Sequence, residues 1–413
     1  MLKQVETSRA VAETVALCRP EVVCAYPITP QTHIVEGLAE IVKAGKLKNC
    51  EFINVESEFA ALSVAVGASA AGARAYTATA SQGLLFMAEV VYNASGLGLP
   101  IVMTIGNRAI GAPINIWNDH SDSMSMRDSG WIQLHAETAQ EAADLHILAF
   151  RIAEQTSSPV MVCVDGFVLT HSYEPVDIPT QTDVDAFLPP FGPQQMLDPS
   201  EPITIGAMVG PEAFMEVRYL QHDKLIRALE VIADLSGSFE EQFGRECGSL
   251  VRQYHASGAE TVIVTLGSVS GTVKDVIDEL RDKGASIGLL NICCYRPFPF
   301  SAVQRVLSSA RRVLVLEKSL APAIGGPVSS DVRLALAGAR TPISTVVAGL
   351  GGRPITKASL RDLLAREEVE ELTFLDLDRQ AIEAHLKRQN HRPCTSFVSA
   401  AVREEMNPCP HSL

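Results

Sequence analysis

Three apolar segments decide the fold: VVCAYPITP at residues 22–30, FINVESE at residues 52–58 and AYTATASQG at residues 75–83. Each has the pattern of a short strand that runs into a polar loop, and stretches with apolar residues at helical spacing separate them. This alternation predicts a parallel α/β sheet. Because the carboxyl ends of parallel strands emerge at one edge, their loops should form a common rim where ligands bind.

The same alternation extends to both sides of these segments. A helix is predicted from Ser8 to Leu17, where Pro20 stops it. A fourth strand, Ile101 to Ile105, ends at Gly106-Asn107-Arg108, and a helix over 139–155 leads to a fifth strand over 159–167. The sequence therefore predicts a first α/β domain over residues 1–175.

The rest of the chain is expected to contain a second, smaller α/β domain. Residues 176–258 are richer in proline and lack the alternation apart from a helical run over 224–235, so they are interpreted as a linker and excursion. Strands and helices alternate again over residues 259–373, with strands predicted at residues 261–266, 286–293, 313–316 and 343–347. Residues 374–413 are polar and are interpreted as a tail that stays loose or wraps a neighbour.

Composition excludes several classes of function. The chain has 413 residues, 34 basic and 48 acidic, and the net charge of −14 disfavours nucleic acid and anionic lipid as partners. No signal-like or membrane-spanning apolar run is found. The nine cysteines include no C-x-x-C pair, which is typical of reduced thiols in the cytoplasm and predicts no zinc site or iron–sulfur cluster in this chain.

The order of motifs along the chain resembles that of the pyruvate:ferredoxin oxidoreductase family. The motifs begin with Tyr26-Pro27-Ile28-Thr29-Pro30, Glu56-Ser57-Glu58 and Thr79-Ala80-Ser81-Gln82-Gly83, and continue with Asn107-Arg108-Ala109, Asn118-Asp119-His120-Ser121-Asp122, Asp165-Gly166-Phe167 and Tyr295-Arg296-Pro297-Phe298. The resemblance covers about residues 8–350. It implies a pyrimidine-binding domain for thiamine diphosphate, followed by a domain like the carboxyl-terminal domain of transketolase.

The resemblance implies that Glu58 activates the cofactor. Thiamine reacts as a C2 carbanion that its own 4'-amino group generates, and a buried carboxyl group at the pyrimidine N1' promotes the required imino tautomer. Glu58, between the second strand and an alanine-rich helix, matches that family glutamate, whereas Glu56 suits a surface position. The alternative is that Glu58 only caps the helix. Pro27, Ile28, Ser81 and Gln82 are the other cofactor-binding residues that the resemblance implies.

Two further residues are predicted to bind the substrate. A planar guanidinium can hold the carboxylate of a 2-oxoacid through two hydrogen bonds, and the resemblance implies this role for Arg108. It also implies that the hydroxyl of Thr29 touches the substrate. The alternatives are a surface or interface salt bridge for Arg108, and a hydroxyl that only fixes the backbone of a stiff turn for Thr29.

The resemblance also implies that this alpha subunit needs partners. The sequence has no Gly-Asp-Gly stretch for holding the diphosphate through Mg²⁺, and no clustered cysteines to accept electrons. A beta subunit would supply the diphosphate-binding half, Mg²⁺ and an iron–sulfur cluster. Gamma and ferredoxin-like delta subunits would pass electrons to ferredoxin, or to NAD through a flavin subunit. The expected reaction converts pyruvate, or a relative such as phenylglyoxylate, and coenzyme A into acyl-CoA and CO₂.

Other motifs carry weaker functional signals. Asn118, Asp119, His120 and Asp122 lack the spacing of metal ligands, so an ordered loop near the cofactor or at a subunit interface is the favoured interpretation. The glycines of residues 349–352 do not form a phosphate-binding fingerprint, and Cys293 and Cys294 are expected to be buried. Two rival functions remain, a non-catalytic scaffold and a self-contained decarboxylase or transketolase-like enzyme. Thr29, Glu58 and Arg108 on one rim argue against the first, and the missing diphosphate motif argues against the second.

Overall fold

The computed structural model describes residues 2–390. The elements up to residue 187 alternate much as predicted, and the predicted first helix and third strand differ from α1 and β4 by at most one residue. In chain order they are β1 (Leu2–Glu6), α1 (Thr7–Leu17), β2 (Val22–Ala25), α2 (Thr32–Lys43), β3 (Glu51–Asn54), α3 (Glu58–Ala70), β4 (Ala75–Thr79), α4 (Ser81–Phe86), α5 (Ala88–Leu97), β5 (Val102–Asn107), α6 (Ser121–Ser125), β6 (Ile132–His135), α7 (Ala139–Thr156), β7 (Val160–Asp165), β8 (Tyr173–Asp177) and α8 (Gln181–Phe187).

The elements that follow contain the second predicted alternation. The predicted strand over residues 343–347 is β14 without a change of boundary. In chain order these elements are α9 (Phe214–Phe243), β9 (Val251–Tyr254), β10 (Thr261–Thr265), α10 (Val269–Arg281), β11 (Ile287–Ile292), β12 (Cys294–Arg296), α11 (Phe300–Leu307), β13 (Arg312–Glu317), α12 (Pro327–Ala335), β14 (Ile343–Val347), a 3₁₀ turn (Leu350–Gly352), α13 (Lys357–Leu364), β15 (Leu372–Phe374) and α14 (Arg379–Asn390).

The first sheet carries the rim that the sequence predicts. Its seven strands lie in the order β12-β6-β7-β5-β4-β2-β3, and all of them run parallel except β12, which pairs antiparallel with β6. Every residue of β4, β5 and β7 is buried, as expected for parallel strands that helices cover on both faces. The carboxyl ends of β2, β3, β4 and β5 therefore lie along one edge, which confirms the predicted parallel α/β class.

The second sheet has the order β15-β14-β13-β10-β11-β9. Strands β14, β13, β10 and β11 are parallel, and β9 is antiparallel to β11. Strand β12 follows β11 directly but joins the first sheet, so the two sheets are linked through a few residues of backbone. Cys293 and Cys294 lie at this crossing and are buried, as predicted. Residues 1–373 cluster as one compact unit.

The predicted helical run over residues 224–235 is too short. Helix α9 extends from Phe214 to Phe243, and its buried residues begin only at Ala228. The apolar side chains of its first half, such as Phe214, Met215 and Leu220, are exposed, so no periodic pattern marks that half as facing a core. The second half packs into the hydrophobic core beside the first sheet, where Phe239 stacks on Phe243 with ring centroids 4.2 Å apart.

A second unit begins at residue 374. Helix α14 occupies residues 379–390 of the predicted tail, and the remainder of the tail, residues 391–413, lies outside the described residues. Among residues 2–390, no helix combines the length and the apolar character that crossing a membrane requires.

Candidate active site

Glu58 lies at the carboxyl edge of the first sheet and is nearly buried, with 9% of its surface exposed. It is the first residue of α3, and the cap of this helix is the neighbouring Ser57, whose hydroxyl accepts the Ala60 N–H at 3.2 Å. Within residues 2–390 no group donates a hydrogen bond to the Glu58 carboxylate. Ser57 therefore supplies the hydrogen-bonding cap of α3, while Glu58 lies in its first turn, where the helix dipole favours an acidic side chain, so the alternative role for Glu58 stays open. Glu56 is exposed as expected.

Gly83 and Thr79 form the surroundings of this carboxylate. A Cβ atom on Gly83 would lie 2.5 Å from Thr79 Oγ1 and 2.8 Å from Glu58 Oε1, so only glycine permits this approach. The Thr79 hydroxyl is buried and has no hydrogen-bond partner in the described part of the chain. A carboxylate and a hydroxyl that both lack partners beside this glycine are suited to a polar ligand group. Sequence reasoning quoted Thr79 and Gly83 within a motif but assigned no role to either.

Arg108 follows β5 and joins two loops of the rim. Its Nη1 donates to the Thr29 carbonyl oxygen at 3.0 Å, and its Nε donates to the Asn115 carbonyl oxygen at 3.2 Å. No carboxylate within residues 2–390 forms a salt bridge with it, so the alternative of a surface salt bridge finds no partner among these residues. Backbone carbonyls orient the guanidinium while its remaining N–H groups can still bind a planar anion.

The loop after β2 brings Pro27, Ile28 and Thr29 to the same edge. Thr29 and Pro27 are exposed and Ile28 is half-buried. The Thr29 hydroxyl makes no hydrogen bond within residues 2–390, whereas its carbonyl accepts from Arg108. The hydroxyl therefore does not fix the turn, which was the alternative interpretation, and it can contact a ligand.

Ser81 and Gln82 begin α4, and Asp122 positions this end of the helix. Asp122 is completely buried, and its Oδ2 accepts the backbone N–H groups of Ser81 at 2.9 Å and Arg108 at 3.0 Å. Its Oδ1 accepts the Asn107 amide at 2.8 Å and the Ser123 N–H at 2.8 Å. Burial raises the pKa of Asp122 to about 6 against the opposing effect of these donors. The carboxylate thus holds the loops after β4 and β5 in one register.

We expect Asp122→Asn to lower the free energy of unfolding by about 1–3 kcal/mol, because an amide NH₂ would replace one carboxylate oxygen and leave buried N–H donors without an acceptor. Urea denaturation of the full-length chain measures this loss. The matched control is Asp128→Asn, since the Asp128 side chain is 70% exposed, and this change should alter the value by less than about 0.5 kcal/mol. Equal stability of the two variants would contradict the role of Asp122.

A buried charge network joins the two sheets beside this rim. Asp165, at the end of β7, accepts from Lys318 Nζ at 2.7 Å and bonds His120 Nε2 at 2.7 Å. Lys318 follows β13 of the second sheet and also donates to Asn118 Oδ1 at 2.9 Å. Burial disfavours the ionised form of Asp165, but Lys318 and His120 outweigh it and hold its pKa well below the usual range. The network fixes the carboxyl edges of the two sheets against each other.

The loop over residues 118–122 is thus an ordered part of the rim. Asp119 Oδ1 accepts the Ser121 N–H at 2.9 Å, and its Oδ2 accepts the Gly351 N–H at 3.1 Å. The glycine-rich turn of residues 349–352 therefore contacts this loop. Within residues 2–390, the one group of three or more side chains that could hold a metal ion lies elsewhere, at Glu6, His33 and His171.

Comparison with known proteins gives consistent matches. Residues 13–236 match the family model for pyruvate flavodoxin/ferredoxin oxidoreductase, thiamine diphosphate-binding, and residues 259–360 match the model for pyruvate:ferredoxin oxidoreductase core domain II. The pyruvate synthase subunit PorA of Methanothermobacter thermautotrophicus is 46% identical over 385 residues, which cover 92% of this chain and 100% of that protein. The ketoisovalerate oxidoreductase subunit VorA of Pyrococcus abyssi is 38% identical, over 94% of this chain and 98% of that protein.

Solved structures share the fold at lower identity. The 2-oxoglutarate:ferredoxin oxidoreductase from Magnetococcus marinus aligns with a TM-score of 0.66 and 20% identity, over 88% of this chain and 64% of that chain. A split gene transketolase aligns with a TM-score of 0.50 and 14% identity, over 84% of this chain and 90% of that chain. These two likenesses concern the fold alone.

Proposed function

This chain belongs to the pyruvate:ferredoxin oxidoreductase family, and from that premise we propose that it is the alpha subunit of a 2-oxoacid oxidoreductase and holds the pyrimidine side of thiamine diphosphate. The observation that carries the proposal is that the nearly buried carboxylate of Glu58 and the hydroxyl of Thr79, both beside Gly83, lack hydrogen-bond partners among the described residues. An aminopyrimidine offers ring nitrogens that accept hydrogen bonds from a carboxylic acid or a hydroxyl, and an amino group that donates to a carboxylate or a hydroxyl. The residues present therefore fit this half of the cofactor.

Bound thiamine diphosphate supplies a carbon nucleophile for the carbonyl group of a 2-oxoacid. Glu58 holds and returns a proton at its carboxylate, on the pyrimidine side. Glu58 and Thr79 would hold the pyrimidine ring, and Ser81, Gln82, Pro27 and Ile28 would line the neighbouring rim. Burial keeps water away from Glu58, which would strengthen a hydrogen bond between Glu58 and the pyrimidine.

Arg108 and Thr29 form the substrate side of the proposed site. Two carbonyl oxygens fix the Arg108 guanidinium, so its free N–H groups are oriented for a carboxylate before the substrate arrives. The Thr29 loop is attached to the same guanidinium, which places its hydroxyl near the bound acid. These contacts suit the 1-carboxylate that all 2-oxoacids share, and they do not select the rest of the molecule.

We propose pyruvate as the main substrate because pyruvate synthase subunits match this chain at 46% identity, with a branched-chain 2-oxoacid second because a ketoisovalerate oxidoreductase subunit also matches, at 38% identity. The balanced reaction converts the 2-oxoacid anion, coenzyme A and two oxidised ferredoxins into acyl-CoA, CO₂, two reduced ferredoxins and one proton, with the two electrons passing singly. The sequence has no C-x-x-C pair and no Gly-Asp-Gly stretch. We therefore assign the clusters and the Mg²⁺-diphosphate site to beta, gamma and delta partner subunits in the cytoplasm.

Purification of the tagged chain from its native cells tests this function. The assembly should reduce ferredoxin with coenzyme A and pyruvate, in a panel that also contains 2-oxoisovalerate, 2-oxoglutarate and phenylglyoxylate. The chain alone should contain no stoichiometric iron, and calorimetry should detect no micromolar binding of Mg²⁺-thiamine diphosphate, because half of the site is missing. Micromolar binding by the chain alone would overturn the shared site, and an assembly that oxidises none of these acids would overturn the function.

A further inference from the structure

Three side chains that the proposed reaction does not use meet behind the Thr29 loop. Glu6 ends β1, His33 lies in the first turn of α2, and His171 lies in the turn between β7 and β8. Glu6 Oε1 is 2.6 Å from His33 Nδ1, and the rings of His33 and His171 have centroids 4.7 Å apart. One oxygen or nitrogen atom from each of the three residues lies within 4.8 Å of the other two.

Helix capping does not explain the position of the Glu6 side chain in this cluster. Glu6 occupies the N-cap of α1 but makes no capping hydrogen bond with its side chain. Within residues 2–390, the Glu6 side chain forms an ion pair with His33 alone. Neutral imidazole nitrogens and a carboxylate oxygen are common ligands of divalent transition metals, so one cation could be shared by all three groups.

The spacing of the ligand atoms is close to that of a metal site. A tetrahedral ion with bonds of about 2.0–2.1 Å separates its ligand atoms by about 3.3 Å. The distance between Glu6 Oε1 and His33 Nδ1 must therefore increase by less than an ångström, and no other separation must shorten by more than about 1.5 Å. The His33 side chain is 47% exposed, so it can make this adjustment by rotating without disturbing the core.

His171 is already oriented by a hydrogen bond on its other nitrogen. Its Nδ1 lies 2.7 Å from the hydroxyl oxygen of Thr170, a residue with no exposed surface. The same oxygen accepts the Phe167 N–H at 2.8 Å. If Nδ1–H donates to Thr170, the lone pair of Nε2 is free for a ligand. Outer hydrogen bonds of this kind fix the tautomer of histidines that bind metals.

We propose that Glu6, His33 and His171 bind one divalent ion of the zinc type, with a water molecule completing the tetrahedron. Two imidazoles and a carboxylate select zinc and its transition-metal neighbours over magnesium or calcium, which require several oxygen ligands. The ion would join three segments that are far apart in sequence. Because His33 follows Thr29 by four residues, it would also fix the end of α2 that carries the substrate loop.

Calorimetric titration of the metal-free, full-length chain with Zn²⁺ tests the proposal. We expect one equivalent to bind with a Kd of about 1–10 µM. His33→Gln and His171→Gln should each weaken this binding by at least about tenfold. His222→Gln is the matched control, because His222 is an exposed histidine on α9, and it should leave the Kd unchanged. Circular dichroism melting without metal checks that all three variants fold alike.

Cobalt distinguishes this site from cysteine ligands elsewhere, including Cys394 and Cys409 beyond the described residues. Tetrahedral Co²⁺ bound by histidine and carboxylate should give visible absorption without the near-ultraviolet band of thiolate binding. That visible spectrum should disappear in His33→Gln and His171→Gln. Binding that both variants retain, a thiolate spectrum alone, or no binding at about 100 µM metal would each overturn the proposal.

Discussion

Replacing Glu58 by glutamine is expected to reduce turnover of the assembled enzyme by about 10²–10⁴-fold, the range for loss of a positioned acid or base. Glutamine keeps the size of the side chain and its place at the start of α3, but it cannot give up or regain a proton. Exchange of the cofactor C2 proton with D₂O, followed by NMR after acid quench, should fall by a similar factor. Chain folding and subunit association should survive, because Ser57 supplies the cap of α3.

Glu56→Gln is the matched control for this experiment. Glu56 is two residues away, exposed, and outside α3, so its loss should change neither turnover nor proton exchange beyond about twofold. A Glu58→Gln enzyme with a near-normal exchange rate would show that Glu58 is not the proton-holding group. The proposed fit of the pyrimidine to the place beside Gly83 would then be wrong.

Replacing Arg108 by lysine is expected to lower kcat/KM by about ten- to more than a hundredfold. Lysine retains the positive charge but loses the planar pair of donors, so it cannot bind a carboxylate through two parallel hydrogen bonds. It also cannot bond the carbonyls of Thr29 and Asn115 together, so the Thr29 loop loses its attachment. The loss should appear with every accepted 2-oxoacid, because all of them carry the same carboxylate.

Steady-state kinetics with two 2-oxoacids, alongside proton exchange without substrate, test the role of Arg108. Exchange and cofactor content should stay near wild type, since Arg108 is not assigned to the pyrimidine. Arg305→Lys is the control, because Arg305 is exposed on α11 and away from the rim. A fall in substrate-free exchange, or a loss restricted to one acid, would contradict the assignment of Arg108 to the substrate carboxylate.

Local patterns were sufficient for the strands that are buried on both faces. Strand β4, at residues 75–79, is completely buried and was predicted with correct boundaries, because a central parallel strand is apolar along its whole length. Strands β6 and β12 were not predicted. Both are short, and β12 joins the first sheet only because the chain crosses over after β11. Such a pairing depends on the relative positions of the two sheets, and a local sequence pattern carries no information about those positions.

Helix α9 shows a similar limit. Its second half carries core residues such as Ile232 and Phe239, and the helical pattern found there is real. The apolar residues of its first half are exposed. The periodic apolar pattern by which a helix that packs on a core is recognised is therefore absent there. The interpretation of residues 176–258 as linker and excursion therefore missed the helix start at Phe214. The domain boundaries remain a prediction.

The sequence by itself determined the α/β class, the family resemblance and the set of loops that carry Thr29, Glu58 and Arg108, because parallel strands bring their carboxyl ends to one edge. The tertiary structure alone decided which groups lack partners and which support others. In the sequence, neither Thr79 nor Asp122 can be distinguished from any other polar residue that becomes buried. Only packing shows that one faces Gly83 and Glu58 unpaired, while the other is saturated by backbone donors from two loops.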